Sequence, residues 1–194
     1  MYEILTEMVG CVEKNLNKTK KVVFLQKILN ERDNIAMKKL RIYLDTSVIS
    51  HLDAPDTPEK MTETLALWEY LTSRSDIEII ISELTLRELN QCPQPKLQFL
   101  LEKLNDLDYL FLEITLDDKK LSDIYLQNAI LTEKSIDDLV HIAIATLNDC
   151  RYIISWNFKY FVNPKTIHAV RAINKLMNLP EIDIVSPPMM LGGF

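Results

Sequence analysis

Segments with the pattern of buried strands alternate with segments of helical periodicity along most of the chain. Strands are predicted over 40–44, 77–81, 109–114, 152–155 and 182–185. The spacing of apolar residues predicts helices over 58–73, 83–90, 95–104, 116–128, 136–148 and 164–177. Strands that alternate with helices are typical of βαβ units. We therefore expect an α/β fold in which a central parallel sheet lies between helical layers.

The first 36 residues differ from the pattern that follows them. Their apolar residues recur at helical spacing on both sides of a polar break at 17–19, which predicts two short amphipathic helices. We expect an N-terminal helical extension over 1–36 and a compact domain over 37–194. The extension either packs as a simple appendage or docks on the domain, within one chain or across a homodimer. The tail over 187–194 is expected to be irregular.

Glycine is almost missing from the chain. The three glycines are Gly10, Gly192 and Gly193, so the segment 11–191 contains none. The phosphate loops of ATP-binding and dinucleotide-binding proteins need glycine where the backbone approaches the phosphate closely. The usual forms of those sites are therefore excluded. Any phosphate group bound by this chain must be held by side chains or by a metal ion.

The remaining composition fits a cytoplasmic protein. The three cysteines, Cys11, Cys92 and Cys150, are odd in number and far apart. Such spacing argues against a disulfide framework or a zinc knuckle and favours reduced thiols. No run approaches the roughly 20 apolar residues that a membrane span needs. The N-terminus also lacks the pattern of a secretion signal, so we expect a cytoplasmic protein that does not enter the membrane.

Carboxylates occur where predicted strands end and helices begin, the edge at which open parallel sheets form their sites. Asp45 follows the first strand directly, and its alternative role is to cap the next short helix. Glu88 lies in the helix after the second strand, nearer its apolar face, and its alternative role is as a capping-box partner of Thr85. Glu83 is expected to pair with Arg87 on the surface.

Asp137 and Asp138 begin a helix that is apolar nearly all round, which predicts a buried helix. Asp138 is the stronger site candidate, and Asp137 is a supporting or merely exposed residue. A capping box with Ser135 is the alternative for this pair. Asn157 follows the fourth strand, where a turn asparagine is the alternative. His141, one helical turn later than the two aspartates, is interpreted as a core histidine.

Carboxylates crowded at one edge of a sheet repel one another unless a divalent cation neutralises them. Oxygen ligands favour Mg²⁺ or Mn²⁺ over zinc. We therefore predict a site for Mg²⁺ or Mn²⁺ with three ligands, Asp45, Glu88 and Asp138. Asn157 completes the predicted catalytic set, and Ser47 supports it by positioning water or phosphate.

Four segments resemble, in order, the four motifs of PIN-domain nucleases. They are 43–49 (YLDTSVI), 82–89 (SELTLREL), 138–145 (DLVHIAIA) and 155–161 (SWNFKYF). The acidic residues of the first three motifs match Asp45, Glu88 and Asp138. Many members of the family have aspartate where this chain has Asn157. An amide ligates through its oxygen but brings no charge, so the resemblance does not extend to a second, tightly held metal ion.

The resemblance covers about 37–165 and implies a three-layer α/β/α fold of the PIN-like type. It also implies Mg²⁺- or Mn²⁺-dependent cleavage of RNA phosphodiester bonds. Many small members are VapC-type toxins paired with an antitoxin, so the implied protein is the toxin of a type II toxin–antitoxin pair, with RNA and an antitoxin as partners. The alternative is a catalytically weak PIN-like module that binds RNA or protein.

The net charge of −6, from 22 basic and 28 acidic residues, is unusual for a nucleic-acid-binding protein. The charge is, however, unevenly distributed. The segment 150–180 has five basic residues and no acidic one, and it contains the aromatic side chains of the fourth motif. Single-stranded nucleic acid binds to cations through phosphate and to aromatic rings through its bases. Lys159 and Lys165 are the predicted phosphate contacts, and a solvated face over core aromatics is the alternative.

Overall fold

A computed structural model describes residues 39–128 and 130–192, which form five strands and eight α-helices. The strands are β1 (Leu40–Leu44), β2 (Ile77–Ser82), β3 (Tyr109–Leu112), β4 (Tyr152–Ile154) and β5 (Asp183–Val185). The helices are α1 (Thr46–Ser50), α2 (Pro58–Thr72), α3 (Glu83–Leu89), α4 (Lys96–Leu104), α5 (Leu116–Gln127), α6 (Ile136–Leu147), α7 (Pro164–Leu176) and α8 (Pro187–Leu191). The two helices predicted within 1–36 lie outside the described residues.

The strands form one parallel sheet in the order β3-β2-β1-β4-β5. In its centre, Tyr43 of β1 is opposite Ile80 of β2 and Ile153 of β4. The chain proceeds outward from β1 to β3 and then returns to β4 on the other side of β1. Ligand sites of open parallel sheets form where the strand order reverses in this way, outside the carboxyl ends of the strands. The topology therefore directs attention to the ends of β1 and β4.

Successive residues of the central strands face two separate apolar clusters, as the pleat of a strand requires. On one face, Ile42 and Leu44 of β1 pack with apolar residues of α1, α2, α4 and α8. On the opposite face, Tyr43 packs with residues of α5, α6 and α7. The predicted fold class is therefore confirmed, because the parallel sheet lies between two helical layers.

Local chemistry explains where several helices begin. Side-chain caps that accept a backbone N–H precede four of them, at Asp45, Ser82, Thr115 and Asn163. The prediction of an irregular tail is wrong, because α8 forms there. Pro187 and Pro188 fit the first turn of a helix, where no intrahelical N–H bond is lost. The other boundaries differ from the predicted ones by at most two residues.

The described residues can be searched for membrane-spanning helices and for disulfide bonds. None of the helices formed by 39–128 and 130–192 combines the length and apolar character that crossing a membrane requires. Cys92 and Cys150 are free thiols, and Cys150 is buried. Burial raises the pKa of Cys150 to about 12. Its thiol therefore stays protonated and packs as a small apolar group.

Candidate active site

Asp45 lies directly after β1, where it is 5% exposed and its backbone N–H donates to the Ile154 carbonyl of β4 (3.1 Å). Its Oδ2 accepts hydrogen bonds from the Ser155 hydroxyl (2.8 Å), the Ser47 backbone N–H (3.3 Å) and the Ser47 hydroxyl. Its Oδ1 lies 3.9 Å from Nε2 of His141. Asp45 therefore caps α1 with one oxygen while the other faces the interior of the site.

Glu88 lies on α3, which begins directly after β2, and its side chain is 29% exposed. Its Oε2 accepts a hydrogen bond from the Thr46 hydroxyl and lies 3.2 Å from Nε2 of His141. Burial on its own raises the pKa of Glu88, but the hydrogen bond and charge of His141, together with Thr46, lower it below its ordinary value. The alternative role of Glu88 was to form a capping box with Thr85. The N-cap of α3 is instead Ser82, whose Oγ accepts a hydrogen bond from the Thr85 N–H (3.3 Å).

His141 of α6 is 1% exposed and has a partner at each ring nitrogen. Nδ1 lies 2.6 Å from the Tyr43 hydroxyl, and Nε2 faces Glu88. The Tyr43 hydroxyl in turn lies 2.5 Å from Oγ of Ser82. Burial lowers the pKa of His141, but the surrounding carboxylates, Glu88 foremost, raise it above its ordinary value overall. The histidine is buried, as interpreted from the sequence, yet it lies among the site carboxylates.

Three of these side chains bring metal-ligand atoms close together. One oxygen each of Asp45 and Glu88 and a ring nitrogen of His141 lie within 4.8 Å of one another. Two carboxylates and an imidazole form a donor set that binds divalent first-row metal ions. The residues brought together from the end of β1, from α3 and from α6 therefore fit a divalent cation.

Asp138, in the first turn of α6, is half-buried beside this group. Asn157 donates from Nδ2 to Oδ1 of Asp138 (3.0 Å), while its own side-chain oxygen accepts the Tyr160 N–H (3.1 Å). Asn157 is therefore a turn asparagine and a hydrogen-bond donor to Asp138 at once. Burial and the charge of Asp45 raise the pKa of Asp138 to about 6. The main cause of this shift is burial, and the neighbouring charge of Asp45 adds a like-charge repulsion that a divalent cation would relieve.

Other predicted contacts differ in the structure. Asp137 is exposed and pairs with Arg87 (3.0 Å), away from the carboxylates. The Glu83 carboxylate, expected to pair with Arg87, instead accepts a backbone N–H from the segment after β3 (3.2 Å). Within the described part of the chain the Ser135 hydroxyl forms no N-cap hydrogen bond, so the capping box considered for Asp137 and Asp138 is wrong.

The basic segment 150–180 divides into paired and exposed cations. Arg151 contacts the Asp183 carboxylate at 2.5 Å, and Arg171 contacts the same carboxylate. Lys159 and Lys165, the predicted phosphate contacts, are exposed. Lys159 follows β4 and Lys165 lies in the first turn of α7, so both follow Asn157 closely in sequence. The exposed lysines of the segment are therefore Lys159 and Lys165, which follow Asn157 closely, and Lys175 near the end of α7.

The aromatic residues of the fourth motif divide in a similar way. Trp156 is 6% exposed, whereas the Phe158 ring is 49% exposed. Lys60 of α2 extends across both, with Nζ 5.3 Å from the centre of the Trp156 ring and 5.8 Å from that of Phe158. Sequence analysis missed Lys60, because no local pattern connects it to a segment almost 100 residues away. Lys60 therefore forms cation–π contacts with the two aromatic rings beside the site.

His141 is the other residue that sequence analysis did not assign to the site. Its spacing gave one usable signal: it follows Asp138 by three positions, which places both side chains on the same side of α6. A helix that is apolar nearly all round has little reason to bury an aspartate and a histidine on one side. That pairing was the available indication that the histidine faces the carboxylates.

Comparisons with known proteins identify similar structures. No protein-family model matches the sequence, and the search of curated proteins found no match. VapC20 of Mycobacterium tuberculosis, described as a sarcin–ricin loop cleaving toxin, shares 16% identity over 61% of this chain and 92% of its own, with a TM-score of 0.49. A chain of VapBC2 from Rickettsia felis, bound to a promoter DNA fragment, shares 14% identity over 76% and 98%, with a TM-score of 0.47. A chain of DNA-bound VapBC from Salmonella typhimurium shares 14% identity over 76% and 98%, with a TM-score of 0.42.

The chain is thus similar to structures that bear VapC or VapBC names. The four sequence motifs resemble those of PIN-domain nucleases, a family in which many small members are VapC-type toxins. What the site of this chain can do chemically is set by its own side chains.

Proposed function

We propose that this protein is a ribonuclease that requires a divalent cation to hydrolyse RNA phosphodiester bonds. The observation that carries the proposal is the convergence of Asp45, Glu88 and Asp138 at the carboxyl edge of the sheet. Asp45 and Glu88 approach one imidazole, at 3.9 Å and 3.2 Å, and the charge of Asp45 acts on Asp138. Such crowding of one buried and two half-buried carboxylates is unfavourable unless a cation is bound among them.

The proposed ligands of Mg²⁺ or Mn²⁺ are the carboxylates of Asp45, Glu88 and Asp138. A divalent cation supplies polarisation of a phosphoryl oxygen and a bound water of lowered pKa. Asp45 offers a well-positioned oxygen, because the donors on its Oδ2 fix the carboxylate. Asn157 orients Asp138 through its Nδ2, and Ser47 supports the site through its bonds to Asp45.

RNA is the substrate class that the motif resemblance implies, and the exposed residues after β4 suit a single strand. Lys159 and Lys165 offer positive charge to phosphates. Phe158 offers an exposed ring on which a base can stack. With no glycine in 11–191, phosphate binding is assigned to these side chains and to the cation.

The main test compares RNA cleavage by the purified protein in EDTA, in Mg²⁺ and in Mn²⁺. We expect cleavage only with a cation, and loss of cleavage in Asp45→Asn, which keeps the size and capping ability of the side chain. The variant, purified identically, also detects contaminating nuclease. Equal cleavage by Asp45→Asn and the wild type would overturn the assignment.

The proposed phosphate-binding lysines have a separate test in the salt dependence of RNA binding. Replacing Lys159 and Lys165 by glutamine should weaken binding and reduce the slope of log K against log salt by roughly 0.7 for each phosphate that is no longer neutralised. Lys175→Gln, at an exposed lysine near the end of α7, is the matched control. An unchanged slope in the double variant would assign RNA to another surface.

We also propose that the nuclease is a cytoplasmic toxin of a type II pair, with an antitoxin protein as its partner. The resemblance of the four motifs to VapC-type proteins supports this assignment. Expression of the wild type should arrest growth, expression of Asp45→Asn should not, and co-expression of a small DNA-binding protein encoded upstream should relieve the arrest. Normal growth with the wild type would contradict the toxin role and leave the nuclease activity to be judged by cleavage.

A catalytically weak module that binds RNA or protein is the second candidate, and the orientation of Asn157 favours it. Its side-chain oxygen accepts the Tyr160 N–H, where many family members have a charged carboxylate. Calorimetric titration with Mn²⁺ separates the two functions. A ribonuclease should bind Mn²⁺ and lose that affinity in Asp45→Asn, whereas an inactive module should bind RNA without carboxylate-dependent affinity for Mn²⁺.

A further inference from the structure

We propose that His141 is itself a metal ligand, so that the cation is bound by an imidazole nitrogen together with Asp45 and Glu88. This inference rests on the proposed function and goes beyond it by adding nitrogen to an oxygen ligand set. Its starting observation is that the ligand atoms of these three residues lie within 4.8 Å of one another. The predicted all-oxygen set therefore omits a buried donor in the centre of the cluster.

The position of the imidazole favours a shared centre over a single hydrogen bond. Nε2 lies 3.2 Å from Oε2 of Glu88, and it also lies 3.9 Å from Oδ1 of Asp45, the oxygen that faces the interior of the site. The ring is held by Tyr43, edge-on with centroids 5.6 Å apart, and by Phe161 at 6.1 Å. A ring fixed in this way keeps Nε2 directed toward both carboxylates.

The partner of the other ring nitrogen suits a ligating histidine. Histidine ligands generally donate their second N–H to a group that fixes the tautomer. Nδ1 of His141 lies 2.6 Å from the Tyr43 hydroxyl, which in turn lies 2.5 Å from Oγ of Ser82. Because a hydroxyl both donates and accepts, Tyr43 can accept the Nδ1 proton and donate to Ser82. Nε2 is then left with the lone pair that a metal ion needs.

An imidazole ligand changes which divalent cation the site prefers. Mg²⁺ prefers oxygen ligands, whereas imidazole suits later divalent ions better. A set of carboxylates that includes one imidazole should therefore bind Mn²⁺ more tightly, relative to Mg²⁺, than a set of carboxylates alone. The inferred cation of this chain is accordingly Mn²⁺, the more nitrogen-tolerant of the two ions predicted from the sequence.

Pulsed electron paramagnetic resonance of Mn²⁺ bound to the full-length protein tests the inference without any reaction. An imidazole nitrogen bound to Mn²⁺ gives a measurable nitrogen coupling, which changes when histidine is labelled with ¹⁵N. We expect this coupling in the wild type and its loss in His141→Gln, whose amide is a polar group of similar reach. His168→Gln, at an exposed histidine of α7, is the matched control and should keep the coupling.

A second variant guards against a folding defect at position 141. Tyr43→Phe keeps the imidazole and removes the partner of Nδ1, so the coupling should persist while Mn²⁺ affinity falls by about 10–100-fold. Circular dichroism and thermal melting of each variant monitor the fold. The ratio of the Mg²⁺ to the Mn²⁺ dissociation constant should also fall in His141→Gln, because the nitrogen ligand that favours Mn²⁺ is lost.

The outcomes separate this inference from the proposed function. Mn²⁺ bound to the wild type without nitrogen coupling, or coupling retained in His141→Gln, would overturn the histidine ligand and leave a carboxylate-bound cation in place. Absence of any carboxylate-dependent Mn²⁺ binding by the wild type would overturn both. Coupling lost only in His141→Gln, with RNA cleavage absent, would support the ligand and contradict the ribonuclease.

Discussion

Two polar clusters lie on the same helical side of the sheet, and each is built around a buried tyrosine hydroxyl. In the neutral cluster (Tyr125, Thr146 and Asn174), Tyr125 donates to Oδ1 of Asn174 (2.6 Å) and contacts the Thr146 hydroxyl (3.3 Å). Asn174 then donates to the Pro180 carbonyl (3.1 Å). This cluster joins α5, α6 and α7 with uncharged groups that satisfy one another.

The site cluster (Asp45, Glu88, Asp138 and His141, with Tyr43) joins the ends of β1 and β2 to α6. It also begins at a tyrosine hydroxyl, but it contains three carboxylates and one imidazole. Even a protonated histidine leaves an excess of negative charge. The comparison shows that buried polarity alone does not mark a site. The polar groups of the neutral cluster satisfy one another, whereas the site cluster carries an excess of negative charge that a bound cation would balance.

The largest expected effect is on catalysis by Asp45→Asn. The substitution replaces the negative carboxylate that faces the interior of the site by a neutral amide. It should lower cation-dependent cleavage by at least ~100-fold, since a bound metal supplies several kcal/mol of transition-state stabilisation. In EDTA the variant should be at least as stable as the wild type, because asparagine still caps α1 and the carboxylate repulsion is reduced. Cleavage rates and urea denaturation in EDTA measure the two effects.

Asn174→Ala in the neutral cluster should have the opposite effect, a loss of stability without a loss of cleavage. It removes the closer acceptor of the Tyr125 hydroxyl and the side-chain donor to the Pro180 carbonyl, at a cost of about 1–3 kcal/mol in the free energy of unfolding. Cleavage per folded molecule should remain that of the wild type. If Asn174→Ala reduced cleavage as strongly as Asp45→Asn, the distinction between the clusters would be wrong.

Stabilisation by Mn²⁺ should appear only where the site cluster is intact. At a free concentration of ~100 times its Kd, a ligand that binds only the folded state adds about 2.7 kcal/mol to the free energy of unfolding. For a chain of this size we expect a rise in Tm of roughly 5–10 °C. Thermal scans with EDTA and with Mn²⁺ should show the rise in the wild type and in Asn174→Ala. A similar rise in Asp45→Asn would mean that Mn²⁺ binds elsewhere.

The two tyrosine hydroxyls allow a matched pair of substitutions. In EDTA, Tyr43→Phe and Tyr125→Phe should each cost about 1–2 kcal/mol in the free energy of unfolding, because each leaves a buried nitrogen or oxygen without its partner. With Mn²⁺ present, Tyr43→Phe should also regain less stability than Tyr125→Phe, since the Nδ1 partner of His141 is lost. Urea denaturation under both conditions measures this. Equal responses to Mn²⁺ would remove Tyr43 from the site cluster.

Sequence reasoning located the carboxylates because their positions follow from topology. Asp45 and Glu88 follow strands of a parallel sheet, and Asn157 follows another, so the strand ends bring them to one edge. The fold class was predictable for the same reason, since the alternation of strands and helices leaves few arrangements. Most boundaries followed from periodicity and capping residues. Within the described ranges, the helix that begins with the proline pair at 187–188 was not predicted, because two adjacent prolines suggest a break more readily than a first turn.

The contacts of His141 could not be predicted from the sequence, for a physical reason. A histidine on an apolar helix gives the same pattern whether its nitrogens face a backbone carbonyl or two carboxylates. The distinction depends on what two other elements place opposite each nitrogen, here the hydroxyl of Tyr43 and the carboxylate of Glu88. In the same way, the side-chain oxygen of Asn157 is directed by the backbone of the turn that follows it.

The smallest expected effect distinguishes two adjacent aspartates of α6. Asp137 and its partner Arg87 are each more than half exposed, and exposed ion pairs contribute about 0–1 kcal/mol. Asp137→Asn should therefore change the free energy of unfolding by less than about 1 kcal/mol and leave cleavage unchanged. Asp138→Asn, one residue and about 100° further round the helix, removes a half-buried carboxylate whose pKa the charge of Asp45 helps to raise, and should greatly reduce cleavage. Urea denaturation and cleavage rates of both variants test whether the site cluster ends at Asp138. Comparable losses of cleavage would mean that Asp137 also belongs to the site cluster. Unchanged cleavage in both variants would exclude Asp138 from the site cluster.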